Sequence, residues 1–573
     1  MVSSPDVTAA FRAARDQLLD APSAADARAG FTWPDVGETF NWADDWFDVI
    51  AHDNDRTALH LVDADRDRRF SYAELAARSD RLAAFLHAHG VRKGDHVLLM
   101  LGNQLEIWET MLAVMKVGAV ILPTTTMLDT ADLQDRVDRG AVAHVVTNAT
   151  ETTKFDDVHG GFSRIVVGGA VDGWTTYPTD LGEPAPADEV RPVVRTRSTD
   201  PCLVYFTSGT TSKPKMVVHS QTSYPVGHLS TMHWIGVRPG DVHLAISSPG
   251  WGKHAWSCFF APFIAEATVF VHDTPRFDPV ALLAALDEHG VTSFCAPPTA
   301  WRMLLQGDLG ARPRALREVV SAGEPLNPEV IARVSDAWGL TIRDGYGQTE
   351  TTAIIGNPPG APVTPGAMGT PLPGVEVVLL DPLTGTEADE GEICLDLAER
   401  PVNLMSGYLG DPARTDDAMR DGFFHTGDIA ARDADGQLTF IGRTDDVFKS
   451  SDYKVSPFEV ESALLQHPAV AESAVVPAPD AARLNIVKAY VTLAAGWEPD
   501  ADTALQVLQH ARAVLPAYAR VRRVEFAELP KTISGKIRRV ELREREERAA
   551  ASGAPAEGEW REDRFPELRS VSR

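Results

Sequence analysis

The sequence predicts an α/β protein: a large N-terminal part with doubly wound sheets and a small antiparallel barrel or sheet, followed by a smaller α+β part. Three observations predict it. From about residue 70, helix-period stretches alternate with short apolar runs, the spacing of parallel strands joined by crossover helices. From 360 to 445, glycine and proline turns separate short strands, as in antiparallel structure. Beyond Asp446 a helix and two strands form a compact mixed unit. A chain of 573 residues is too long for one core and should divide into about three or four units.

Each element has its own signal. Residues 1–40 read as a helix and a proline- and glycine-bearing approach segment. Helix Tyr72–His89 leads to HVLLML (96–101), and helix Leu105–Val117 to AVILP (119–123). Helix Asp129–Asp138 precedes AHVVTN (143–148), and ALLAALDEHG (281–290) precedes VTSFCAPP (291–298). The antiparallel strands are VEVVLLD (375–381), GEICLDL (391–397) and LTFIGR (438–443). Helix PFEVESALLQHP (457–468) and strands AESAVVPAP (471–479) and KAYVTLA (488–494) make the α+β unit. From Glu541 the chain is Arg- and Glu-rich, then bears Ala, Gly and Pro, and reads as a solvated helix end and a frayed terminus. No internal repeat is visible.

Hydrophobic residues at 44% and charged residues at 24% are ordinary for a soluble globular protein. A formal net charge of −27 argues against a nucleic-acid partner, because phosphate-backbone binding needs a basic face. An anionic substrate must instead be drawn in by a local basic pocket. Cys202, Cys258, Cys295 and Cys394 form no CxxC pair and read as buried thiols of a reducing compartment. The N-terminus lacks the apolar core of a signal peptide, and no apolar run approaches the roughly 20 residues that span a bilayer. A cytoplasmic protein is expected.

Tyr205–Lys215 reads YFTSGTTSKPK. Clustered hydroxyl and glycine residues, closed by Lys213 and Lys215 around Pro214, can turn backbone N–H groups and hydroxyls toward one anion with lysine charge beside them. The loop implies a polyphosphate. It is not the GxxxxGK[ST] loop, which needs glycine where Pro214 stands. SAGEP (321–325) follows Val319-Val320 as a strand-end turn would, and DGYGQTETT (344–352) gathers hydroxyls and a carboxylate. HTGD (425–428) and GRTDD (442–446) flank a hairpin strand, and PKTISGKIRR (530–539) sets a lysine after a glycine turn.

In this order the motifs resemble those of the adenylate-forming superfamily of acyl-CoA synthetases, aryl-CoA ligases, peptide-synthetase adenylation domains and luciferases, across residues 40–543. The wording of 234–262, WIGVRPGDVHLAISSPGWGKHAWSCFFAP, looks most like the medium-chain and short-chain acyl-CoA synthetase branch. The resemblance implies ATP-dependent conversion of a carboxylic acid to an acyl adenylate, then transfer to CoA with release of AMP and pyrophosphate, with Mg2+ as the metal. A carboxylate is a poor acyl donor because its leaving group would be oxide, whereas AMP leaves easily. Joining carboxylate to α-phosphate brings two anions together, so the site must supply positive charge and aligned donors.

The resemblance also implies roles. Thr207, Ser208, Gly209, Thr210, Thr211 and Lys215 would hold the β- and γ-phosphates. Gly323, Glu324 and Pro325 with Asp344 and Tyr346 would frame the adenine, and Gly347 and Gln348 complete the ATP set. Thr349 would donate to the α-phosphate and Glu350 would carry Mg2+, a hard cation suited to oxygen. Asp428 and Arg443 would hold the ribose hydroxyls. Lys536 would be the adenylation catalyst, its compact ammonium meeting charge as it builds. The chain would divide into residues 1–444 and a mobile 445–573, hinged at Asp445, a residue type that tolerates unusual backbone angles.

Gly347 stands where acetyl-specific relatives carry tryptophan, implying open volume and an acid larger than acetate: medium-chain, branched or aromatic. Trp251, His254, Trp256 and Gly347 would line the acyl pocket, His254 touching the carboxylate and the tryptophans suiting a flat or chain-like group. Ser451, Asp452, Tyr453 and Lys454 would line the CoA passage. There SSDYKVSP departs from the SGYR or SGHR of many thioester-forming members, with Asp452 for glycine and Lys454 for arginine. A carboxylate beside an incoming thiolate motivates an alternative acceptor: an amine, a carrier-protein thiol, or nitrite as in ATP-dependent diazotases. Intact Lys536, Glu350 and Asp428 speak against a binding protein retired from catalysis.

Overall fold

A computed structural model describes residues 6–569 apart from 183–190, 192, 208–212, 275, 451–452, 481–483, 533–535 and 553–557. The chain forms two compact units, the first comprising Met1–Val377 and Leu395–Phe424, the second Val378–Cys394 and His425–Arg573. Compactness thus groups residues 425–444 with the C-terminal part, although the sequence set the domain boundary after 444. The reason is local: the Phe440 ring lies 5.9 Å from that of Phe458, and the Ser456 hydroxyl donates to the Ile441 carbonyl.

The first unit holds two sheets. One runs, edge to edge, Gly407–Tyr408, Lys215–Ser220, Pro201–Thr207, Val120–Pro123, His96–Met100, Val142–Asn148, Ser163–Val167 and Thr175–Thr176. Pairing is parallel from Pro201–Thr207 onward and antiparallel at the Lys215–Ser220 edge. The other contains six parallel strands in the order Arg343–Gly347, Glu318–Ala322, Ser293–Ala296, Val242–Ala245, Thr268–His272 and Thr57–Val62. Strands Ala353–Gly356 and Ala367–Pro371 extend that sheet in antiparallel register.

The helices form where the pattern placed them. Ser71 caps Tyr72–Ala88 by accepting the Glu74 N–H at 3.0 Å, and Leu75, Leu82 and Leu86 give its buried stripe. Leu105–Val117 is apolar on nearly every side, is buried accordingly, and stops at Gly118 with φ 72°. Among the described residues no helix is long and apolar enough to cross a membrane.

The second unit contains a four-stranded sheet ordered Val470–Asp480, Leu484–Leu493, Val521–Phe526 and Glu559–Arg561, with helices Pro457–Leu464, Ala501–Val514 and Arg539–Ser552. Residues 558–569 of the tail are built into the unit, contrary to what its composition suggests. Glu559–Arg561 pairs antiparallel with Val521–Phe526, and Phe565 and Leu568 enter the core. Buried charge explains the acidic residues. Lys488, fully buried, donates to Glu525, Glu546 and Glu559 at 2.8, 2.6 and 2.8 Å.

Candidate active site

The phosphate loop sits on a hairpin whose last paired residues are Thr207 and Lys215. Ser208, Gly209, Thr210 and Thr211 lie outside the described residues. The two-residue strand period puts Lys215, Val217 and His219 on one face. Lys215 Nζ is 3.3 Å from Tyr408 Oη and 3.8 Å from Glu350 Oε1, while Tyr408 Oη donates to the same Glu350 oxygen at 2.9 Å. Tyr408 arrives beside Lys215 because Gly407–Tyr408 pairs with Val218 and Val217. Burial pushes His219 down to about 4, so its imidazole is neutral at physiological pH. His219 Nε2–H donates to the Thr349 carbonyl at 2.7 Å, and Nδ1 accepts from Ser223 Oγ at 3.0 Å. Thr349 and Glu350 are thus fixed by two residues the sequence reading missed. His219 had a signal, a polar residue alternating with Lys215 in an otherwise apolar strand; Tyr408, distant in sequence, had none.

The adenine-framing candidates gather at the carboxyl ends of neighbouring parallel strands, where open α/β sheets bind ligands. Gly323, at φ 105°, leaves the Glu318–Ala322 strand, and Glu324 accepts from Thr299 Oγ1 at 3.2 Å. Asp344 is buried, and burial pushes its carboxyl up to about 8 against the pull of the Gly345 and Leu326 N–H groups and Lys253. Its Oδ1 accepts the Gly345 N–H at 2.9 Å. Tyr346, Gln348 and Thr349 are half-buried, and Gln348 N–H donates to Thr351 Oγ1 at 3.0 Å, shaping the turn.

The acyl segment, Gly252–Ile264, is helical with a π-turn over Trp256–Phe260. It meets the adenylate loop closely: a Cβ on Gly252 would lie 3.5 Å from Thr349 Oγ1. Two expectations change. Gly347 does not face open space, since a Cβ there would lie 1.9 Å from the Thr352 carbonyl oxygen and 2.8 Å from the Trp256 ring. Trp256, anchored by donation to Tyr224 Oη at 2.9 Å, occupies that volume instead. His254 is buried and pushed down to about 3 by desolvation; it donates to Asn103 Oδ1 at 3.2 Å and packs 5.6 Å from the Trp108 ring. A neutral, engaged imidazole satisfies the core and offers no charge to a carboxylate. Trp251 is half-buried.

In the second unit, Asp428 and Arg443 are register partners on adjacent antiparallel strands, with Arg443 Nη1 3.9 Å from Asp428 Oδ1. Arg443 Nε donates to Asp445 Oδ1 at 3.1 Å, so the expected hinge residue touches the expected ribose residue. Lys536 is exposed beside an Lys531–Ile537 bridge; its N–H donates to Thr532 Oγ1 at 3.1 Å and its carbonyl accepts from Thr532 N at 2.7 Å. Of the CoA candidates, Ser451 and Asp452 lie outside the described residues. Tyr453 stacks on Tyr518 at 5.0 Å, and Lys454 Nζ is 3.7 Å from Glu390.

The AMP-binding enzyme family matches residues 46–409, and the AMP-binding enzyme C-terminal domain matches 459–536. The chain is 42% identical over 535 residues to 4-hydroxybutyrate–CoA ligase 1 of Metallosphaera sedula, covering 91% of this chain and 93% of that protein. Against the mitochondrial acyl-coenzyme A synthetase ACSM3 of Mus musculus it is 36% identical over 536 residues, 89% and 91% of the two chains. Its structure is similar to the anthranilate CoA ligase AuaEII in complex with anthranoyl-AMP, with a TM-score of 0.80 and 27% identity over 90% of this chain and 99% of that one. The chain belongs to the AMP-binding enzyme family, within the adenylate-forming superfamily its motifs resemble and alongside the acyl-CoA synthetases.

Proposed function

We propose that the protein converts a carboxylic acid larger than acetate to its acyl adenylate with ATP, and transfers the acyl group to CoA with release of AMP and pyrophosphate. The observation that supports it most is the Lys215–Tyr408–Glu350 cluster at the mouth of the phosphate loop, beside a Thr349 held by His219. Lys215 and Thr207 bind the β- and γ-phosphates, and the Thr349 hydroxyl orients the α-phosphate. Glu350 offers the hard carboxylate oxygen that Mg2+ takes, and the ion when bound offsets phosphate charge. Tyr408 and Lys215 hold that carboxylate in place. Asp428 and Arg443 bind the ribose, and Lys536 neutralises charge while the acid oxygen joins phosphorus.

The acid lies against Trp256, whose ring fills the volume that Gly347 was expected to leave open, so an acid larger than acetate is supported by the 4-hydroxybutyrate–CoA ligase and ACSM3 relatives rather than by residue 347. The aromatic wall suits an apolar chain or ring. The second half reaction needs the segment beyond Asp445 to change its backbone geometry and bring Ser451, Asp452, Tyr453 and Lys454 to the thiol. Four buried, unbridged cysteines fit a reducing cytoplasm. ATP–pyrophosphate exchange with acetate, 4-hydroxybutyrate, medium-chain and aromatic acids, run beside a CoA-consumption assay, tests the reading. Exchange with a larger acid and equal AMP and thioester are expected; ADP as product, or exchange with acetate alone, overturns it.

A further inference from the structure

Three side chains of the second unit that this reaction does not use converge on one point. Glu392 and Cys394 occupy alternate positions of strand Glu390–Asp396, so they share a face. His425 reaches that face from strand Phe423–Arg432, which is fixed alongside by the Thr426 hydroxyl donating to the Ile393 carbonyl at 2.7 Å. His425 Nδ1 is 2.9 Å from Glu392 Oε2 and 3.5 Å from Cys394 Sγ, and one donor atom from each residue lies within 4.8 Å of the other two. The remaining Glu392 oxygen, Oε1, accepts the Gly427 N–H at 2.8 Å, which holds the carboxylate in position.

We propose that Glu392, Cys394 and His425 form a binding site for a borderline-soft divalent cation, Zn2+ fitting best, with water as fourth ligand. Thiolate and imidazole together disfavour Mg2+ and Ca2+, and one sulfur, one nitrogen and one oxygen donor suit tetrahedral zinc. Tetrahedral bonds to zinc place sulfur and nitrogen about 3.6 Å apart, close to the spacing present, and nitrogen and oxygen about 3.4 Å apart. The ion therefore needs Glu392 to withdraw slightly and give up its hydrogen bond to His425. Three coordinate bonds form: the Cys394 thiol releases its proton to solvent, and the proton that His425 Nδ1 donates to Glu392 leaves that nitrogen, shifting to Nε2 in the neutral imidazole or passing to solvent from the imidazolium, so that the Nδ1 lone pair meets the metal. No electrons are exchanged. Asp428 is three residues beyond His425 and so on the opposite face, where occupancy stiffens the strand that bears it. The site stands independently of the proposed reaction.

The test is a metal titration of the full chain after stripping with a chelator. One equivalent of Co2+ is expected to produce thiolate-to-cobalt charge-transfer absorption, Zn2+ to abolish it, and Cys394→Ala and His425→Ala to lack it. Only a cysteine ligand gives that band, so the His60, Asp67 and His289 group cannot imitate it. Absence of the band, or its persistence in Cys394→Ala, overturns the proposal. If the variants do not fold, alkylation of Cys394 in the unaltered protein, followed by mass spectrometry, is expected to slow at least tenfold with one equivalent of Zn2+. Equal rates overturn the proposal.

Discussion

Lys536 is exposed, and its backbone N–H and carbonyl are both hydrogen-bonded to Thr532, so its position is held by backbone contacts rather than by packing of its own side chain. Lys536→Ala is expected to lower pyrophosphate exchange by about 10²–10³, the scale of removing one donor aimed at developing charge. An exchange rate equal to the unaltered protein's would remove Lys536 from the chemistry. Asp344 gives a pH prediction. Burial holds its folded carboxyl at about 8, against roughly 3.9 when unfolded, so the folded state binds the extra proton between those values and stability falls as pH rises through them. Asp344→Asn keeps the acceptor for Gly345 N–H and removes the titration. The Tm difference between pH 5 and pH 8 should narrow in the variant; an unchanged difference counts against a protonated Asp344. Lys215, Thr349 and Glu350 could be singled out because the runs 205–215 and 344–352 are short, contiguous motifs that resemble the family's, and the structure brings Lys215 and Glu350 within 3.8 Å. The core hydrogen bond of His254 was not legible because sequence gives a histidine's neighbours in the chain, and its partner Asn103 is far away in it.

At the scale of elements, the Phe423–Arg432 and Leu438–Arg443 hairpin links the ribose candidates to Asp445 through one arginine. Proline at 445 locks φ and removes the N–H, so Asp445→Pro is expected to leave adenylation largely intact and abolish thioester formation, while Asp445→Ala, which removes the same carboxylate, keeps both. Pre-steady-state assays of each half reaction separate these outcomes, and equal loss of both in the proline variant argues against a hinge. Lys488 ties two strands and a helix together through carboxylates. Lys488→Met strands three buried acids and should cost about 3–5 kcal/mol of the second unit's stability, read by urea denaturation. The parallel strands and their helices were legible because apolar runs and 3.6-residue periods are local signals. The last strand was not: Glu559–Arg561 reads as polar tail, and only its register with Val521–Phe526 makes it sheet.

Over the whole molecule, a body of net charge −27 would meet the anionic substrates of the proposed reaction at a few placed cations, Lys215 and Arg443 among them, local charge working against the global field. Ending the chain after Ser552 should lower the Tm of the protein and abolish pyrophosphate exchange, because the edge strand, Glu559, Phe565 and Leu568 go with it. A shortened chain with unchanged Tm and activity would return the tail to the frayed status its composition suggests. The carboxylate cage around Lys488 also sets a schedule for synthesis. Glu559 follows Lys488 by 71 residues, so a ribosome exposes the lysine well before its last counter-ion exists. Until that glutamate emerges, the nascent lysine keeps its water, and the second unit matures late while the first has already begun to fold.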